Sequence, residues 1–210
     1  VAQLVRKENN LQYTPLHRAC KYNFQELIRI LLNNNADPNK YRQAGSRRRT
    51  PIMSLLEACD KDVVKNLNIF FNGQQEINLG AYDEERRSIL VYAIKTYSFL
   101  RKQRLSNAVE KNRTLVELVL KQKKELLNVV TRSGKNVLHY AAEHQAFHLV
   151  TFFLDEDVPM YKKAGRNLMT PLDYANELLR VKRSMKRALR DVIWPCNALV
   201  RVADSLEESD

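Results

Sequence analysis

The chain has 210 residues, 44% of them apolar and 28% charged, a balance that fits a globular protein and excludes global disorder. The length suits one large domain or two small ones. The formal net charge of +11 favours an acidic partner, whether nucleic acid, an anionic membrane surface or an acidic protein.

Five Gly and six Pro leave no low-complexity linker. The longest apolar-rich runs, residues 89–94 and, around Thr151, 149–154, fall short of the ~18–20 residues a membrane span needs. No leader pattern stands at the start, and the chain reads as a monomeric fragment of a longer protein. Cys20, Cys59 and Cys196 are odd in number and widely spaced. Reduced thiols in a cytoplasmic or nuclear setting are expected.

In chain order, residues 1–10 read as a partial cap, the last turns of a preceding helix. Residues 13–19 spell Y-T-P-L-H-R-A. Thr14 can cap a helix whose first position is Pro15, and Leu16, Ala19 and Cys20 make its narrow apolar face. A second helix carries Leu27, Ile28, Ile30, Leu31 and Leu32. Asn23 and Asn35 stand where the turns need a positive φ, which Asn tolerates better than other non-Gly residues. The pattern restarts as R-T-P-I at 49–52, R-S-I-L-V-Y-A at 87–93, K-N-V-L-H-Y-A at 135–141 and M-T-P-L-D-Y-A at 169–175. The anchors Thr14, Thr50, Ser88, Asn136 and Thr170 are spaced 36, 38, 48 and 34 residues apart. The second unit slips by about two residues. The third lacks Pro and holds an extra stretch near residues 98–112 that is expected to lengthen both of its helices. An amphipathic stretch at 178–194 ends at Pro195, and residues 195–210 are expected to form a flexible tail.

This series resembles the ankyrin repeat, whose period is about 33 and whose signature is T-P-L-H-x-A. The resemblance implies an all-α solenoid of stacked helix-turn-helix units with hairpin-like finger loops. It covers residues 1–194, with units near 11–40, 47–79, 85–130, 133–163 and 167–194. It implies that His17 and His139 tie neighbouring loops together. It also implies a concave docking surface built from the fingers and the first helix of each unit.

Nothing points to catalysis, a cofactor or a metal. The phosphate-loop, dinucleotide, zinc-protease and nucleophile-elbow motifs are missing from the sequence. His144 and His148 are four apart, but the family register places a turn between them, and no ligand set completes them. The acidic cluster at residues 83–85 reads as a solvated turn.

Three sets of residues are candidates for binding. Arg18, Tyr92, Tyr140 and Tyr174 precede the small Ala of the motif, with Tyr22 one turn beyond Arg18. Tyr there can serve as a contact residue or pack between helices, and both readings stay open. The fingers supply Arg42, Arg47, Arg48 and Arg49, then Lys162, Lys163 and Arg166, as a cationic rim. A terminal basic run holds Arg180, Lys182, Arg183, Lys186, Arg187 and Arg190. That run suits a polyanion, an import signal or a solubilising face. The expected function is a protein-interaction module for an acidic or extended partner segment. Binding of RNA or another polyanion, or an architectural role in a larger protein, are the alternatives.

Overall fold

The computed structural model describes residues 13–44, 47–58, 62–104 and 107–181. The expected cap at 1–10 and everything beyond residue 181 lie outside the described residues.

The elements follow the anchors. Thr14 caps α1 (Pro15–Lys21). Its hydroxyl accepts from the His17 backbone N–H at 3.4 Å, and its own N–H donates to His17 Nδ1 at 3.3 Å. Asn136 and His139 repeat this reciprocal cap at the start of α7 (Val137–Glu143). Thr170 and Asp173 repeat it, with Asp in place of His, at α9 (Pro171–Val181). Two orphan backbone donors are met at each such start.

The first helices form an inner row: α1, α3 (Pro51–Ala58), α5 (Ile89–Lys102), α7 and α9, each packed on the next. The outer row is α2 (Gln25–Asn33), α4 (Val63–Phe71), α6 (Ala108–Gln122) and α8 (Phe147–Asp155), again packed in sequence. Ala19, Ala93 and Ala141 are fully buried in the inner row, where a methyl group lets helices approach closely. One apolar core runs from Leu16 through Ile28, Leu67, Leu90 and Val116 to Phe153. Each fully buried Leu there contributes about 1.5–3 kcal/mol relative to exposure. Asn23 and Asn35 adopt φ of 56° and 60° as expected, and Gln145 and Asp157 do the same in the fourth unit at 59° and 56°.

The irregular units also follow the sequence reading. In the second unit the outer helix starts two residues later than α2 and α8 do in theirs. In the third, α5 and α6 run 14 and 15 residues. Leu100 and Ala108 pack against each other, with Tyr97 alongside, apart from the main core. Buried Asn112 pins this extension. Its amide donates to Ala93 O and Thr96 Oγ1 at 2.9 Å each, and its Oδ1 pairs with His148 Nε2 at 3.0 Å. His144 and His148 lie on either side of the α7–α8 turn. Burial, above all, pushes both imidazoles down to a pKa of about 4, so both are neutral at pH 7.

Candidate interaction surface

The first finger is a two-stranded hairpin, β1 (Arg42–Ala44) and β2 (Arg47–Arg49), with Arg42 opposite Arg49 and Gln43 opposite Arg48. The second and fourth fingers close on single bridges, Tyr82 with Ser88 and Ala164 with Met169. Each finger bonds to the next. Arg48 N–H donates to Glu84 Oε2 at 2.9 Å, Arg132 N–H to Glu85 O at 3.0 Å, and Gly165 N–H to Ser133 O at 2.8 Å. The motif histidines brace the same row: His17 Nε2 meets Arg49 O and His139 Nε2 meets Met169 O, both at 3.2 Å. Because a carbonyl accepts there, each Nε2 carries the proton and each Nδ1 accepts from its anchor N–H. The fingers therefore form a braced platform.

On that platform Arg48, Lys162, Lys163 and Arg166 are exposed, as are Arg86 and Arg132 at the neighbouring fingers. The Arg48 guanidinium lies 3.8 Å from the Tyr41 ring centre. Arg18 is exposed on α1, and Tyr22 is exposed at its C-terminus, stacked on Phe24 at 6.0 Å. Arg180 belongs to α9, while Lys182, Arg183, Lys186, Arg187 and Arg190 lie outside the described residues.

Four candidates are buried within the stack. Tyr92 and Tyr140 are 2% and 7% exposed, and Arg42 and Arg49 are 7% and 6% exposed. In the third and fourth units position four after the anchor faces the gap between its helix and the fingers, and Tyr fills the space there. Tyr174 is half-buried for the same reason. Its ring meets His139 edge-on at 5.6 Å, and its hydroxyl sits under Gly165, where φ is 73° and a Cβ would come within 2.9 Å.

Asp83 is a second correction. It is 6% exposed and is no solvated turn residue. Its carboxylate accepts from the backbone of Glu85 and Arg87 at 3.0 and 2.8 Å, from Arg87 Nε at 2.6 Å and from Tyr92 Oη at 2.8 Å. Tyr92 Oη in turn accepts from Arg49 Nε at 3.0 Å, and Arg49 Nη1 pairs with Glu57. A continuous polar relay thus runs Glu57–Arg49–Tyr92–Asp83–Arg87 through two fingers and two inner helices. Burial holds the Tyr92 phenol well above its usual pKa, and Asp83 adds to this against the fields of Arg49 and Arg87.

The relay belongs to a repeated scheme that motif matching missed. The residue before the anchor and the residue seven after it face each other. They are Arg49 with Glu57 in the second unit and Lys135 with Glu143, at 2.8 Å, in the fourth. In the third they are Arg87 and Lys95. Burial, reinforced by Arg87, lowers the Lys95 pKa, and Arg87 turns to Asp83 instead. In the first they are Tyr13 and Lys21.

Between the first two units lies a cleft of about 540 Å³ lined by Tyr13, Lys21, Arg42, Arg49, Ser54 and Glu57. Ser54 holds the position that Arg18, Tyr92, Tyr140 and Tyr174 hold in the other units, and this small residue leaves the space open. Arg42 stacks on Tyr13 at 4.4 Å and donates from Nη1 to its hydroxyl. Its Nη2 is 3.9 Å from Glu57 Oε2. Its Nε is buried without a hydrogen-bond partner among the described residues, an arrangement that costs about 1–3 kcal/mol.

The ankyrin-repeat family model matches residues 12–42, the first unit and the base of its finger. The match supports an ankyrin repeat in the first unit, and the stacked helix pairs that follow are consistent with an all-α repeat solenoid. Repeats of this family are generally protein–protein interaction modules and are typically not enzymes. No curated protein matches the chain. No helix among the described residues is long and apolar enough to cross a membrane. No group of three or more His, Cys, Asp or Glu among them is placed to hold a metal ion.

Proposed function

We propose that this ankyrin stack grips an acidic, extended segment of a partner protein along its fingers and inner helices. One observation carries the reading. Six cations of the fingers are exposed, whereas Asp83, Glu84, Glu57 and Glu143 are already engaged, and Glu85 is the one exposed acid of the second finger. Arg48, Arg86, Arg132, Lys162, Lys163 and Arg166 are exposed. Asp83 is buried in the relay, Glu84 accepts from Arg48, and Glu57 and Glu143 close on Arg49 and Lys135. The field a partner meets is therefore positive, which favours capture of an acidic segment. A braced platform also lowers the entropy lost on docking.

Fluorescence anisotropy with a labelled 12-residue alternating Glu–Gly peptide tests the reading. Arg48, Lys162, Lys163 and Arg166→Glu, combined in the full chain, should weaken binding at least roughly ten-fold with an unchanged circular dichroism spectrum. Unchanged affinity overturns the proposal. Tighter binding of a 12-nucleotide oligouridylate, with log K falling at a slope near −0.7 per phosphate contacted against log salt, replaces it with RNA binding.

A further inference from the structure

The cleft between the first two units has three properties of a ligand pocket. The first is space. Ser54 stands where Tyr fills the corresponding gap in three sister units, and the resulting 540 Å³ holds an acidic side chain and its backbone. The second is charge. Lys21, Arg42 and Arg49 line the cleft against the single carboxylate of Glu57, leaving a surplus of two positive charges.

The third is a buried donor edge whose hydrogen bonds are unmet. Arg42 Nη1 is committed to Tyr13. Nε has no partner among the described residues, and Nη2 stands 3.9 Å from Glu57, beyond hydrogen-bond length. Nε–H and the adjacent Nη2–H form the side-on fork of a guanidinium, which matches the two oxygens of a carboxylate. The guanidinium is held in advance by the Tyr13 ring and by the β1–β2 pairing of Arg42 with Arg49. Little further ordering is needed when a ligand arrives. A phosphate dianion suits the cleft less well, because Glu57 already occupies one wall.

We infer that this cleft is a carboxylate pocket that takes one Asp or Glu side chain of a bound peptide between Arg42 and Lys21. The inference rests on the reading of the stack as a docking surface for an acidic segment, and names the place where that segment is read.

Nuclear magnetic resonance of the ¹⁵N-labelled full chain tests it. The Arg42 Nε–Hε signal, assigned with Arg42→Lys, is followed while the Glu–Gly peptide, a Gln–Gly control or inorganic phosphate is added. The signal should shift and saturate with the Glu–Gly peptide and stay in place with the control. Ser54→Tyr, which rebuilds the sister arrangement, should weaken the peptide roughly ten-fold. Lys21→Gln alters an exposed side chain, so the fold is retained, and should weaken it roughly three-fold. This second variant decides the matter if Ser54→Tyr does not fold.

If the peptide binds while the Arg42 signal stays put and Lys21→Gln binds like the parent, the pocket is wrong and the basic platform stands. If the parent does not bind the peptide at all, the platform fails and the pocket with it. If phosphate saturates the Arg42 signal at a lower concentration than the peptide, the site is an oxyanion site of another kind and the carboxylate assignment is overturned.

Discussion

The second and fourth units hold equivalent charge pairs, Arg49 with Glu57 and Lys135 with Glu143, at the same two repeat positions. In the fourth unit Tyr140 fills the space beside the pair, and Lys135 also lies over the Tyr174 ring at 4.5 Å. In the second unit Ser54 leaves that space open, and two arginines line it. One helix scaffold thus gives a closed, structural clamp in one place and an open, cationic cleft in another. Side-chain volume at a single repeat position makes the difference.

The largest test of this comparison is the relay that joins the open cleft to the third unit. Asp83→Ala leaves Arg87 and Tyr92 without their shared acceptor. It should cost about 3–5 kcal/mol, as breaking a buried ion pair does. Urea unfolding should show this as a lower midpoint with an unchanged slope. A loss below about 1 kcal/mol would mean that the relay is ornamental.

The tyrosines come next. Tyr92→Phe removes a hydroxyl that donates to Asp83 and accepts from Arg49, and should cost about 1.5–3 kcal/mol. Tyr140→Phe touches no such relay and should cost about 1 kcal/mol or less. Equal losses would erase the distinction between the two units.

The smallest effect concerns pH. The folded pKa values of His144 and His148 are held down to about 4 by burial. The unfolded chain therefore binds more protons between pH 6.5 and 4, and stability falls as pH drops through that window. With the shift discounted for solvent screening of the partly exposed ring, His148→Leu should remove roughly 1 kcal/mol of the loss between pH 7 and 4. Thermal midpoints of the two proteins should converge as the pH is lowered. Parallel curves would show that His148 titrates normally.

Much of the fold was legible because local chemistry and repeat geometry agree. Thr14 and Asn136 are good caps wherever they stand, and Asn23 and Asn35 mark turns that need a positive φ. The two-residue slip and the long third unit showed directly as spacing. The surface was harder to read. Tyr92 and Tyr140 have the composition of contact residues, and only the position of the fingers over the inner helices shows that the rings are covered. Asp83 lies in a run of acids that reads as a solvated turn until Tyr92 and Arg49 close over it from distant positions. A signal for the cleft was present but unused. Ser54 breaks the Arg/Tyr series, and the residues seven after the first four anchors alternate in sign as Lys21, Glu57, Lys95 and Glu143.

Amide chemical-shift mapping of the full chain with the Glu–Gly peptide tests the central claim most directly. The account predicts perturbations at Arg18, Arg48, Arg132, Lys162 and Lys163, on the fingers and inner row. Glu26, Lys65 and Glu117, on the outer helices, should remain silent. Perturbed outer helices with silent fingers would contradict it.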